Sequence, residues 1–242
     1  MIVKIIQITV CFISIVFALR GLHYKPFFRL ELLYILPFCV IDFLTSWIDI
    51  TYIRNATDYS WNLYHLSFAF TIAEYVFIPI YIAKSINRKI NLVTPLTVLL
   101  LTSIISGITV RSFSLFPQVF LGIYITYFGF RYFYWLLHSE KKTPITQLPS
   151  FWIVMGVISC YASTIPLSAI SYITDGILNG QLEELATQMH FLFLIANTIM
   201  HIFFTRAFLC NPIIDNAETE KQAHAQSNQQ PSLSDLNTDL IL

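Results

Sequence analysis

Charge is scarce in this chain. Of 242 residues only 12% are Asp, Glu, Lys or Arg, about half the share of an ordinary water-soluble domain. No run of Lys and Arg is dense enough to hold a phosphate backbone, which excludes nucleic acid as a partner. Glycine is also sparse, at seven residues. That is low for a transporter, whose helices often pack closely or break at glycine. Four cysteines occur, Cys11, Cys39, Cys160 and Cys210, and no two form a CxxC pair. All lie inside or at the end of apolar runs, where they read as small hydrophobic side chains. No cofactor signature and no metal-ligand set is legible.

Apolar residues fill the space. They make up 56% of the chain, and the mean hydropathy is +0.65. A chain this small could not hide that much apolar surface from water. Lipid can solvate it. Seven apolar runs are long enough to cross about 30 Å of hydrocarbon. They are Ile2–Leu19, Leu30–Ile53, Leu63–Ala83, Ile90–Val110, Leu115–Leu137, Phe151–Ile173 and Leu185–Leu209. Helix is the expected conformation, because in lipid every backbone donor and acceptor must be satisfied within the segment or in a closed barrel. The runs lack the polar–apolar alternation of barrel strands. The fold expected is therefore all-α, a polytopic transmembrane bundle of seven helices over residues 1–210. The short polar breaks make consecutive helices antiparallel.

Basic residues set the orientation. Arg20, Lys25 and Arg29, then Lys84, Arg88 and Lys89, then Arg131, Lys141 and Lys142, then Arg206 and Lys221 fall on one side. Those eleven leave only Lys4, Arg54 and Arg111 opposite. The positive-inside rule puts the N-terminus outside and the C-terminus in the cytoplasm. The expected location is the cell membrane, a bacterial inner membrane. The first run, after one Lys, also has the length of a signal peptide, whose loss would leave six helices. The residues after it are more basic than those before, and no A-x-A site follows, so we read it as a helix. Residues 211–242 are rich in Asp, Glu, Gln, Asn and Ser and read as a disordered cytoplasmic tail.

Ionisable side chains at membrane depth are costly and mark function by default. Glu31, Asp42 and Asp49 share one stripe of the second run, since steps of eleven and seven residues return to the same helical face. Asp42 is expected near mid-bilayer and Asp49 nearer the outside. Glu74 lies at matching depth in the third run, where His65 sits on about the opposite side. In the seventh run His190, Asn197 and His201 share a stripe. Asp42, Asp49, His65, Glu74, His190, Asn197 and His201 are thus the candidate intramembrane polar pocket. The competing explanation is interhelical hydrogen bonding that only fixes packing. Pro37, Pro79 and Pro166 are expected to kink their helices.

Known seven-helix families fit poorly. The seventh run has no lysine for a retinal Schiff base, and no acidic-Arg-Tyr motif closes the third. His190 and His201 stand about three turns apart, too far to share one ion as in membrane zinc hydrolases. Pro117-Gln118 is a single pair where PQ-loop transporters have two. Ala73-Glu74-Tyr75 and Pro149-Ser150-Phe151-Trp152-Ile153 are the residues that carry a likeness. With them the chain resembles an uncharacterised bacterial family of small seven-helix integral membrane proteins, akin to the membrane-sensor modules of signalling proteins. That resemblance implies a sensor-like or receptor-like role, an unknown small ligand, and a separate cytoplasmic signalling partner beside the lipid bilayer. A small-solute or proton-coupled transporter and a metal-dependent hydrolase are the other readings.

Overall fold

The computed structural model describes residues 2–24, 27–53, 60–86, 96–102, 104, 115–139, 144–172 and 183–210. The side chains of residues 2–3, 49–53, 60–70, 115–118, 168–172 and 183–190 are not described. Every regular element among these residues is helical. The α-helices are α1 (Ile2–Arg20), α2 (Leu36–Ile53), α3 (Ser60–Ser85), α4 (96–102), α5 (Leu115–His138), α6 (Pro149–Tyr172) and α7 (Glu183–Phe208). Among the described residues four stretches are long and apolar enough to cross a membrane: Lys4–Tyr24, Glu31–Ile48, Pro149–Leu167 and Phe191–Phe208. Residues 1–210 form one compact unit. The expected tail, 211–242, lies outside the described residues.

Six of the helices close on themselves. Helix α1 packs on α2, α2 on α3, α3 on α5, α5 on α6, α6 on α7, and α7 returns to α1. A further contact joins α3 to α6. Helix α1 shows how side chains are sorted. Gln7, Cys11, Ser14 and Ala18 are buried, and their steps of four, three and four residues trace one face. Phe12, Val16 and Leu19 on another face are exposed. Several small and polar groups therefore point inward while large apolar ones point outward, the reverse of a water-soluble helix. Helix α5 repeats the outer half of this pattern with Phe130, Tyr134 and Leu137, each more than 60% exposed.

Proline and glycine shape the packing locally. Just before Pro37 the chain forms a π-helical turn, Glu31–Ile35. Proline lacks an N–H and crowds the carbonyl four residues back, and widening the preceding turn accommodates both. Pro79 and Pro166 lie within α3 and α6, which continue through them. Helix α6 begins on Pro149, where the missing N–H has no partner to lose. At Gly156 a Cβ would sit 2.7 Å from Phe203 Cβ and 3.0 Å from the Met200 carbonyl oxygen. Only glycine lets α6 and α7 approach that closely.

Candidate functional site

The polar centre is built where α1, α2 and α7 meet. Helix α7 carries Asn197, His201 and Thr205 at four-residue steps, which stacks them on one face. Asp42 projects from α2 onto this ladder. His201 Nε2 lies 2.6 Å from Asp42 Oδ2, and Asn197 Nδ2 donates to the same oxygen at 3.2 Å. The Ser46 hydroxyl reaches Asp42 Oδ1 at 3.4 Å. Asp42 is 3% exposed and His201 is fully buried. A carboxyl group in such surroundings is tolerable only with several hydrogen-bond partners, and Asp42 has three.

Helix α1 locks the histidine from behind. The Ser14 hydroxyl donates to the His201 carbonyl at 2.9 Å and pairs with Thr205 Oγ1, also at 2.9 Å. Thr205 Oγ1 also lies 2.9 Å from that carbonyl, and with Ser14 donating there the Thr205 proton goes to Ser14 Oγ. The His201 ring stacks on Phe38 and meets the edge of Phe204. Its other nitrogen, Nδ1, faces Cys39 Sγ at 3.9 Å. The Cys11 thiol donates to the Cys39 carbonyl at 3.3 Å, which ties α1 to α2 beside the pair. Ring and carboxylate are thus surrounded by groups from three helices.

Glu74 takes a different partner. The Tyr161 hydroxyl of α6 donates to its carboxylate, and both groups are buried. No hydrogen bond joins Glu74 to Asp42 among the described residues. Glu31, at the start of the second run, accepts from the Tyr81 hydroxyl at 2.8 Å. Tyr132 and Ser150 pair at 2.8 Å in the same part of the bundle.

Of the seven candidate residues, Asp42, Asn197 and His201 come together directly. Glu74 lies alongside on α3 with its own tyrosine. The side chains of Asp49, His65 and His190 lie outside the described residues. Comparison with protein-family models, with curated proteins and with solved structures gives no match.

Sequence reading missed Cys11, Ser14, Cys39 and Tyr161. Cysteine and serine look like space-fillers in an apolar run, and tyrosine looks like an aromatic anchor. A usable signal was present on α1, where Gln7, Cys11 and Ser14 recur at helical spacing among large aliphatic residues. The two motifs quoted from the sequence also acquire places. Ala73, Glu74 and Tyr75 are all buried. In the other motif, Ser150 holds Tyr132, and Trp152 donates to the Thr146 carbonyl at 2.8 Å. Trp152 also stacks on Phe203 and carries the Arg206 guanidinium over its ring at 5.2 Å.

Proposed function

We propose that this chain is a sensor-like or receptor-like membrane protein. In this reading seven helices cross the membrane, with the N-terminus outside and the C-terminus in the cytoplasm. The observation that carries it is the buried Asp42–His201 bond between α2 and α7. These two helices meet mainly through side chains, because α1 lies against both. A proton or small polar ligand that competes for either group changes how α2 and α7 are tied, without disturbing the apolar contacts around them. Such a bond is the two-state element that a switch requires. The output passes to a separate cytoplasmic signalling protein.

The test is co-purification from native membranes in mild detergent, with a tag on the C-terminal tail. A stoichiometric signalling protein recovered with the wild type, and in altered amount with Asp42→Asn, supports the reading. Recovery of the chain alone from both counts against it.

Glu74 favours a second reading, proton-coupled transport, because it is a second buried carboxylate on another helix. That reading requires Glu74→Gln to abolish solute flux in proteoliposomes while the protein stays folded. Retained flux removes Glu74 from the role.

A further inference from the structure

Three metal-binding side chains converge where α1, α2 and α7 meet. The Cys11 thiol, the Asp42 carboxylate and the His201 imidazole each place one donor atom within 4.8 Å of the other two. All three are buried. They come from three separate helices, so no local motif brings them together. We propose that the chain binds one divalent transition-metal ion of the zinc class through Cys11, Asp42 and His201. This goes beyond the sensor reading and does not depend on it.

The donor set selects the ion. Zinc takes sulfur, imidazole nitrogen and carboxylate oxygen in a tetrahedral arrangement. Magnesium and calcium want oxygen alone, so a thiol and an imidazole argue against them. Charge points the same way. One thiolate and one carboxylate cancel a dication, and the imidazole is neutral. A site of zero net charge is what a buried, low-dielectric position demands.

The loaded arrangement follows from the metal-free one by exchanging two protons for one dication. From the ion-paired form, with both ring nitrogens protonated, one dication enters and two protons leave. One proton comes from the Cys11 thiol and one from His201 Nε2. Net charge is zero before and after. Two bonds of about 2.0 Å at a tetrahedral angle put nitrogen and oxygen about 3.3 Å apart. From 2.6 Å that opening is within the reach of small side-chain rotations. The remaining ring proton, on Nδ1, faces the Cys39 sulfur, an outer acceptor that fixes the ring orientation.

A second observation concerns the side chain next to this cluster. Asn197 Oδ1 is buried with no hydrogen-bond partner. It belongs to the amide whose nitrogen donates to Asp42. A buried carbonyl oxygen left unsatisfied costs about 1–3 kcal/mol. The unmet acceptor therefore lies one side chain from the proposed ligands.

The experiment uses the full chain, produced in zinc-supplemented medium, purified in detergent and analysed by mass spectrometry for bound metal. About one zinc ion per chain is expected. Cys11→Ser, which changes a single atom, should lower occupancy at least about tenfold, and Cys160→Ala should leave it unchanged. Size-exclusion and thermal-unfolding profiles establish that Cys11→Ser is folded. Cobalt exchanged for zinc then reads the ligands. A thiolate-to-cobalt absorption band should persist in Cys39→Ala and vanish in Cys11→Ser. Metal-free wild-type protein overturns the proposal, as does full zinc occupancy in Cys11→Ser or a cobalt band that follows Cys39 instead of Cys11.

Discussion

His201 Nε2 and Asp42 Oδ2 stand 2.6 Å apart although 159 residues separate them in the chain. The bond is fully enclosed, and that makes it asymmetric in energy. Removing one partner strands the other in an apolar interior, at a cost of about 3–5 kcal/mol. Removing both avoids a stranded charge and leaves only the weaker Asn197 and Ser46 donors without their acceptor.

The pair therefore predicts a specific double-mutant result. His201→Phe should strongly destabilise the folded chain, because Asp42 loses its main partner. Adding Asp42→Leu should restore much of the loss. Thermal or SDS-induced unfolding in detergent measures both. If the double variant loses as much as the two single variants summed, the bond is not the coupled unit described here.

The tyrosine beside Glu74 makes a second prediction. Tyr161→Phe removes the hydroxyl donor and leaves the buried carboxylate unmet, which costs about 1–3 kcal/mol. Glu74→Gln keeps a carbonyl oxygen for Tyr161 to donate to and should cost less. Stability measured side by side decides the matter. A larger loss for Glu74→Gln than for Tyr161→Phe would show that the negative charge itself is structural.

These two clusters show where sequence reading succeeds and where it stops. Periodicity alone places Asn197 and His201 on one stripe, and run length places Asp42 and Glu74 at matching depth. Neither says which helices adjoin. Asp42 takes His201 as its partner because α1 brings α2 and α7 together, and that neighbour order is a property of three-dimensional packing. The cysteines were hidden for another reason. Hydropathy counts Cys11 as apolar, and it is indeed buried, but its sulfur also lies within reach of two polar ligands. The four membrane-length helices, by contrast, follow directly from composition, since long apolar runs have no other stable form in lipid.

Burial of all four cysteines predicts their chemistry. A maleimide probe added to the folded chain in mild detergent should label none of them rapidly, and denaturation should expose four thiols. Fast labelling of Cys11 or Cys39 without denaturant would mean that α1 separates readily from α2 and α7. It would contradict the packing on which the polar centre rests.

The contact at Gly156 carries the last prediction, and there two effects oppose one another. Replacing a helical glycine by alanine ordinarily gains about 0.5–1 kcal/mol, because alanine has less backbone freedom to lose. At Gly156 the new methyl group would lie 2.7 Å from Phe203 Cβ and 3.0 Å from the Met200 carbonyl oxygen. Neither atom is the end of a flexible side chain, so α6 and α7 must move apart to admit it. Overpacking of that kind costs about 1–3 kcal/mol, which outweighs the helical gain. Gly156→Ala should therefore lower the unfolding temperature. It should also weaken the Trp152–Phe203 stacking and the Arg206–Trp152 contact, which bridge the same two helices. Tryptophan fluorescence followed through the melt reads both effects at once. A stability equal to or above that of the wild type would mean that the two helices are not held at the separation described.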